Sequence, residues 1–329
     1  MKPVLHLSFF LLSLNALATA RASELWQMSA EQPASNFITR VARDFARNVR
    51  TATQGQLLIH VVPDSSLYSR QQVKAAVQRG DIQVGDMFMS ALGKEDVLFE
   101  LDSLPFLATD YEQAKILWRV SRPLIEQRLL KDGVRLLYAV PWPPQSLYTN
   151  QPITRMADFQ GMKLRSYNPM ISRMIELMGG EPTLITTAQV PAAFKAGQVE
   201  GLLTSSTTGV DLRVWSFAEH LLDIRAFIPK NIVMVNEAAF QRLAPEVQDA
   251  LLGAARSAEI QGWELSWALT GYQLRTLKRL GVTVVDPLPE GLDSGFDRIG
   301  ETLANEWLEK AGPAAREVLD AYHGASPGR

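Results

Sequence analysis

The chain has 329 residues, 47% of them apolar and 21% charged, a balance typical of globular rather than disordered or fibrous proteins, and it is long enough for two domains. Its formal net charge is -2 with no dense Lys/Arg block, which excludes the electrostatic footprint of a nucleic-acid or anionic-membrane binder. The absence of cysteine excludes disulfides, thiolate metal sites, a cysteine nucleophile and a lipid-modified N-terminal Cys.

Residues 1–22 read as an export signal: Lys2 gives a positive start, Leu5 to Leu17 is a nearly unbroken apolar run, and small residues follow. Cleavage after Ala20 or Ala22 leaves a mature start near Ser23. The apolar run is too short to cross roughly 30 Å of hydrocarbon at about 1.5 Å per residue, and no later segment approaches that length.

From Leu25 onward, short β-like runs alternate with helical ones, the pattern of an α/β protein. Phe37, Val41, Phe45 and Val49 predict a helix over 36–49, and Leu57 to Val62 predicts a buried strand. A helix over 71–79, stopped by Gly80, leads to a strand over 82–89, and another strand is expected over 134–140. These strand–helix–strand units favour parallel sheet. The run Val140-Pro141-Trp142-Pro143-Pro144-Gln145 reads as a crossing between domains, because prolines stiffen the chain and withhold ladder donors. Beyond it come a strand over 162–167, a helix over 169–178 stopped at Gly179-Gly180, a helix over 190–196, and strands over 201–204 and 232–235. Pro245 to Leu280 is the longest helical pattern, about 50 Å at 1.5 Å per residue, and reads as a strut spanning both domains. Trp215, Trp263, Trp267 and Trp307 lie in helical patterns and are expected to pack in the core or between domains.

Motifs for chemistry are missing. His60, His220 and His323 have no partner at metal-ligand spacing, and neither a nucleophile elbow, a Walker loop nor a Gly-rich dinucleotide turn occurs. No Asp/Glu pair is marked out, so a carboxylate-pair hydrolase remains only the runner-up to a non-enzymatic protein without cofactor or metal.

The segment Met156-Ala157-Asp158-Phe159-Gln160-Gly161-Met162-Lys163-Leu164-Arg165 is followed by Gly179-Gly180-Glu181-Pro182-Thr183 and by Ala193-Phe194-Lys195-Ala196-Gly197-Gln198-Val199-Glu200-Gly201. In this order they resemble the solute-binding subunits of tripartite ATP-independent periplasmic (TRAP) transporters, the DctP-like family. Gly55 to Leu67 and the turn Leu104-Pro105-Phe106 agree, so the resemblance covers nearly all of the mature chain. It implies a two-domain, periplasmic-binding-protein-like α/β fold (type II-like) with the ligand cleft between domains and a long helix along both. It also implies a periplasmic, monomeric protein that captures a small organic acid and delivers it to a membrane permease. An exported ligand sensor of the same fold is the alternative output. The corresponding domain expectation is 23–141 plus 231–270 for one unit, 142–230 plus 271–325 for the other, and a flexible tail at 326–329.

Arg165 matches the family's carboxylate-gripping arginine, and a planar, permanently charged guanidinium suits that task. Asn168 falls where the family often places a polar contact, with a cap for the helix starting at Pro169 as the alternative. Tyr167 is a candidate to lay its ring along the cleft. Thr204 stands where relatives carry a ligand-contacting asparagine, with Ser205 beside it, and Gln145 stands where some carry a second arginine. A neutral amide there, flanked by Trp142, favours one carboxylate on an apolar, aromatic or hydroxylated body over two carboxylates. For both Trp142 and Phe88, the other candidate wall residue, core packing is the alternative.

Overall fold

The computed structural model describes residues 23–325; the expected export signal at 1–22 and the tail at 326–329 lie outside the described residues. The first half of the chain runs β1 (Glu24–Ser29), α1 (Phe37–Ala52), β2 (Leu57–Val62), α2 (Val73–Arg79), β3 (Val84–Phe88), α3 (Tyr111–Lys131) and β4 (Val134–Pro141). Then follow β5 (Gln145–Thr149), β6 (Lys163–Ser166), α4 (Pro169–Leu177), β7 (Glu181–Leu184), α5 (Val190–Lys195), β8 (Gly201–Ser205), α6 (Ser206–Asp211) and β9 (His220–Leu222). The chain returns through β10 (Lys230–Asn236) and α7 (Glu237–Arg242) and continues with α8 (Pro245–Arg279), β11 (Thr283–Val285) and α9 (Leu292–Ala325).

The strands form two sheets, in the orders β2-β1-β3-β10-β4 and β11-β9-β5-β8-β6-β7. As the strand–helix–strand units predict, β1 pairs parallel with β2 and β3, and β6 pairs parallel with β7 and β8. β10 enters the first sheet from the other end and is antiparallel to both β3 and β4. Alternation along β10 sends Ile232 and Met234 into a core under α2, α3 and the end of α9, where Leu136 of β4 joins them; a register shift in the β10–β4 pairing at Val233/Met234 puts Leu136 and Tyr138 on opposite faces. Tyr138, Val233 and Val235 face a second core under α1, α7 and α8.

Helix α1 forms for local reasons. Asn36 caps it, its Oδ1 accepting from the Ile38 amide at 3.0 Å, and Phe37, Val41, Phe45 and Val49 make the buried stripe while Arg40, Arg43, Arg47 and Arg50 stay exposed. Gly80 ends α2 at φ 79, a left-handed position suited to glycine. The strand at 57–62 is only partly buried, contrary to expectation, because β2 is an edge strand and His60 points outward. Helix α3 is unanticipated: Pro123 sits in its middle, yet Ala114, Leu117, Trp118, Ser121, Ile125 and Leu129 are buried along one side.

The two sheets are joined where the sequence places its prolines. Trp142-Pro143-Pro144 carries the chain from β4 to β5, and residues 223–229 carry it back from β9 to β10. These crossings lie side by side, with the Trp142 amide donating to Pro229 O at 2.8 Å, Gln145 to Phe227 O at 2.9 Å and Ala226 to Gln145 O at 2.8 Å. Beside them Lys230 is 1% exposed, its Nζ 3.6 Å from Asp102 Oδ2 and over the rings of Trp118 and Trp263. Helix α8, 35 residues long, packs on α1 and β4 and also on α6 and β11, which makes it the strut.

Helix α9 breaks at Gly312, and Trp307, Ala315, Val318, Leu319 and Tyr322 pack into the core beneath α3. Trp307 Nε1 donates to Val97 O at 2.7 Å and the Tyr322 hydroxyl to Leu107 O at 2.8 Å on that side, whereas Phe296, Ile299 and Leu303 pack on the second sheet. Contrary to expectation, Trp267 is 68% exposed, because it lies on α8 beside the beginning of α3, where none of the described elements covers it.

Candidate ligand-binding site

A cleft of about 720 Å³ opens between the sheets, at the carboxyl ends of β1, β2 and β3 on one side and of β6, β7 and β8 on the other. In open α/β sheets this end gathers ligands, because the loops leaving parallel strands converge there. Of the residues singled out from sequence, Phe88, Trp142, Gln145, Arg165, Tyr167, Thr204 and Ser205 all line it.

Arg165, on β6, is 3% exposed. Its Nε donates to Ile185 O at 3.2 Å, its Nη2 to Thr187 Oγ1 at 3.2 Å, and its guanidinium lies 4.9 Å from the Tyr167 ring centroid. Among the described residues no carboxylate pairs with it. Burial pulls its pKa down to about 10, and the charge of Arg70 acts in the same direction. The result is a cation with spare donors and no counter-charge, facing a cleft.

Aromatic and amide groups surround it. Tyr167 donates to Gln145 Oε1 at 3.4 Å, and its ring meets Phe88 edge to face with centroids 5.7 Å apart. Gln145 spends one amide hydrogen on Pro143 O at 3.0 Å. Trp142 donates Nε1 to Asn231 Oδ1 at 2.9 Å across the two crossings and meets Phe37 edge to face, so its ring is both packing at the crossing and cleft wall. Ser205 caps α6 by accepting from the Thr208 amide at 3.2 Å, while the Thr204 hydroxyl makes no hydrogen bond among the described residues. Asn168 stands outside the lining. Its Oδ1 accepts from the Ile171 amide at 2.9 Å, which is the capping alternative, and its Nδ2 reaches Ser90 Oγ at 3.2 Å in the other half.

The sequence reading missed the opposite wall. Arg70 donates Nε to Glu31 Oε1 at 2.7 Å and adds a second, Nη2 contact to the same oxygen. Glu31 Oε2 accepts from the Phe88 amide at 2.8 Å, and the Arg70 guanidinium lies 5.5 Å from the Phe88 ring. Behind them Asp86 accepts from the Glu31 amide at 3.2 Å and from Asn231 Nδ2 at 3.0 Å; burial, reinforced by the charge of Glu31, pushes its pKa up to about 7. A chain of contacts thus runs from Trp142 at the crossing through Asn231, Asp86 and Glu31 to Arg70. Glu31, Asp64 and Phe88 each lie at or just past the end of a parallel strand, a positional signal present in the sequence once those strands are drawn.

Among the described residues no group of three or more His, Asp or Glu is arranged to hold a metal, and no helix is long and apolar enough to cross a membrane.

Comparison with known proteins agrees with the motif order. Residues 28–306 match the model of the bacterial extracellular solute-binding proteins, family 7. Among solved structures, DctP7 of Bordetella pertussis, an extracytoplasmic solute receptor binding pyroglutamic acid, is 44% identical with a TM-score of 0.88, the match covering 92% of this chain and 100% of that one. DctP6 of the same organism, also a receptor binding pyroglutamic acid, is 33% identical with a TM-score of 0.88, covering 92% and 100%. A marine-metagenome TRAP solute-binding protein specific for pyroglutamate is 32% identical with a TM-score of 0.87, covering 92% and 99%. The chain belongs to the family 7 extracellular solute-binding proteins, the solute receptors of TRAP transporters, and is a binding protein for organic acids, not an enzyme.

Proposed function

We propose that the acid this receptor captures is a small monocarboxylate bearing a neutral polar ring, with pyroglutamate as the type. The observation that carries the proposal is Arg165, a buried guanidinium facing the cleft without a carboxylate partner among the described residues. A ligand carboxylate supplies the missing charge, and in a site shielded from water that pairing is strong. Phe88, Trp142 and Tyr167 offer apolar surface for a flat ring, and Gln145, Thr204 and Ser205 offer neutral donors and acceptors for its polar atoms. Three relatives of the same family, at 44%, 33% and 32% identity, bind pyroglutamate.

In the same proposal the two sheets close about the paired crossings, and ligand contacts to both sides select the closed state. One domain comprises 23–141, 231–270 and the end of α9, the other 142–230 and the remainder. The protein is exported, loses its leader after Ala20 or Ala22, and acts as a monomer that hands its ligand to the permease.

Calorimetric titration of the mature protein with pyroglutamate tests this. Wild type binds, and Arg165→Met loses at least about 100-fold in affinity, the cost of stranding a desolvated carboxylate, with circular dichroism and melting cooperativity unchanged. Equal binding by a folded Arg165→Met variant rejects the assignment.

A further inference from the structure

We infer that the Glu31–Arg70 pair is the specificity element of the cleft: Glu31 cancels the charge of Arg70, so that Arg70 donates to a neutral carbonyl of the ligand while a second carboxylate is refused. The inference rests on the monocarboxylate reading above and assigns a task to the wall opposite Arg165.

The cleft holds two arginines with different surroundings. Arg165 has only neutral partners. Arg70 spends Nε and Nη2 on Glu31, whose side chain is 6% exposed, while its own is 31% exposed on the cleft. Of the five N–H donors of a guanidinium, the two on Nη1 make no hydrogen bond among the described residues. Arg70 therefore keeps directional donors but little net charge to offer.

Glu31 is itself held in place. Oε2 accepts from the Phe88 amide at 2.8 Å, Oε1 accepts from Gln32 Nε2 at 3.2 Å as well as from Arg70, and the Glu31 amide is anchored on Asp86 at 3.2 Å. A carboxylate fixed by backbone and hinge contacts cannot swing away when ligand arrives, so it stays as the counter-charge. Asp64 and Asp211 also line the cleft and add negative potential. A second ligand carboxylate would meet one compensated cation and these acids; a lactam or ketone oxygen would meet an available donor without a charge penalty. Arg165 and Arg70 line the same cleft and are linked through the rings between them, Arg165 lying over Tyr167, Tyr167 meeting Phe88 edge to face, and Arg70 lying over Phe88, so a ligand lying along these rings has both arginines in reach.

Glutarate and pyroglutamate, five-carbon acids with two carboxylates and with one carboxylate plus a lactam, provide the test by calorimetry. Wild type should prefer pyroglutamate by about 100-fold or more, in line with the selectivity of sites built around polar pairing. Glu31→Gln, which releases the charge of Arg70, should gain about tenfold or more for glutarate. The double variant Glu31→Gln/Arg70→Gln, neutral at both positions, should lose about tenfold for pyroglutamate and gain nothing for glutarate. Equal wild-type affinity for the two acids, a folded Glu31→Gln variant without a glutarate gain, or a double variant with full pyroglutamate affinity each overturns the inference. If those results come with pyroglutamate binding that Arg165→Met abolishes, the monocarboxylate reading survives and only the selector role falls; wild type that binds no pyroglutamate removes both.

Discussion

Asn36 Nδ2, at the start of α1 on one side of the cleft, donates to Asp211 Oδ2, at the end of α6 on the other, at 3.1 Å. The same Asn36 caps α1 through Oδ1, so the side chain that orders the helix start also links the two halves across the cleft. A contact that exists only with the halves together stabilises the closed state by its own free energy. Asp211→Ala removes it and spares the cap. Since a partly exposed neutral–charged hydrogen bond is worth on the order of 0.5–1 kcal/mol, calorimetry should show ligand affinity about three- to fivefold weaker, with no change in the melting temperature of the unliganded protein.

Asn168 makes the second bridge, and its two tasks separate by substitution. Asn168→Ala loses both the cap of α4 and the link to Ser90, and urea unfolding should show a loss of about 1–2 kcal/mol. Asn168→Ser keeps an oxygen for the Ile171 amide but is too short to reach Ser90. It should retain most of the stability and show only weaker ligand binding, by about threefold, the worth of one modest hydrogen bond.

Asp86 makes stability depend on pH. An aspartate in an unfolded chain titrates near 3.8, whereas in the fold burial holds the Asp86 proton to about 7. Between these values the folded state binds the extra proton, so the contribution of Asp86 to stability falls as pH rises through the window. Asp86→Asn cannot ionise. Its stability relative to wild type should therefore improve from pH 4 to pH 8 by on the order of 3 kcal/mol, taking about 1.4 kcal/mol per unit, as read from chemical denaturation at each pH. A constant difference between the two proteins across that range would rule this out.

Gly262 lets α8 approach β4. A Cβ there would lie 2.8 Å and 2.9 Å from the two methyl groups of Val140, near the end of β4. Gly262 and Val140 are both buried, so Gly262→Ala should overpack the strut against β4 and cost about 1–3 kcal/mol in thermal or urea unfolding. Pairing it with Val140→Ala should restore much of the loss.

How much of this was legible beforehand differs between elements for physical reasons. Asn36 before an apolar stripe, Gly80 and Gly179 after helical runs, and the prolines at 141–144 carry local information, because caps, left-handed stops and missing donors act within a few residues. Arg165 was placed by motif, and Asn168 was read with its capping role left open, which is the geometry found. Strand β2 looked buried because its residues are apolar, but edge position depends on which strands pair, and that is not local. The wall of Glu31, Arg70 and Asp86 escaped notice because its members lie 39 and 55 positions apart in sequence and nothing in their immediate neighbours marks them.

The sequence by itself determined that this is a two-sheet α/β chain with a proline-stiffened crossing, a long strut and one arginine set in a family motif. The α/β alternation, the crossing and the strut follow from periodicity and backbone constraints over short spans, whereas the two-part fold and the singled-out arginine follow from the resemblance to the family. Only the tertiary structure decided which arginine stands uncompensated and which is neutralised. A charge's effect depends on what lies within a few ångströms of it in space, and Glu31 reaches Arg70 only after β1 and the segment before α2 have been brought to the same end of one sheet.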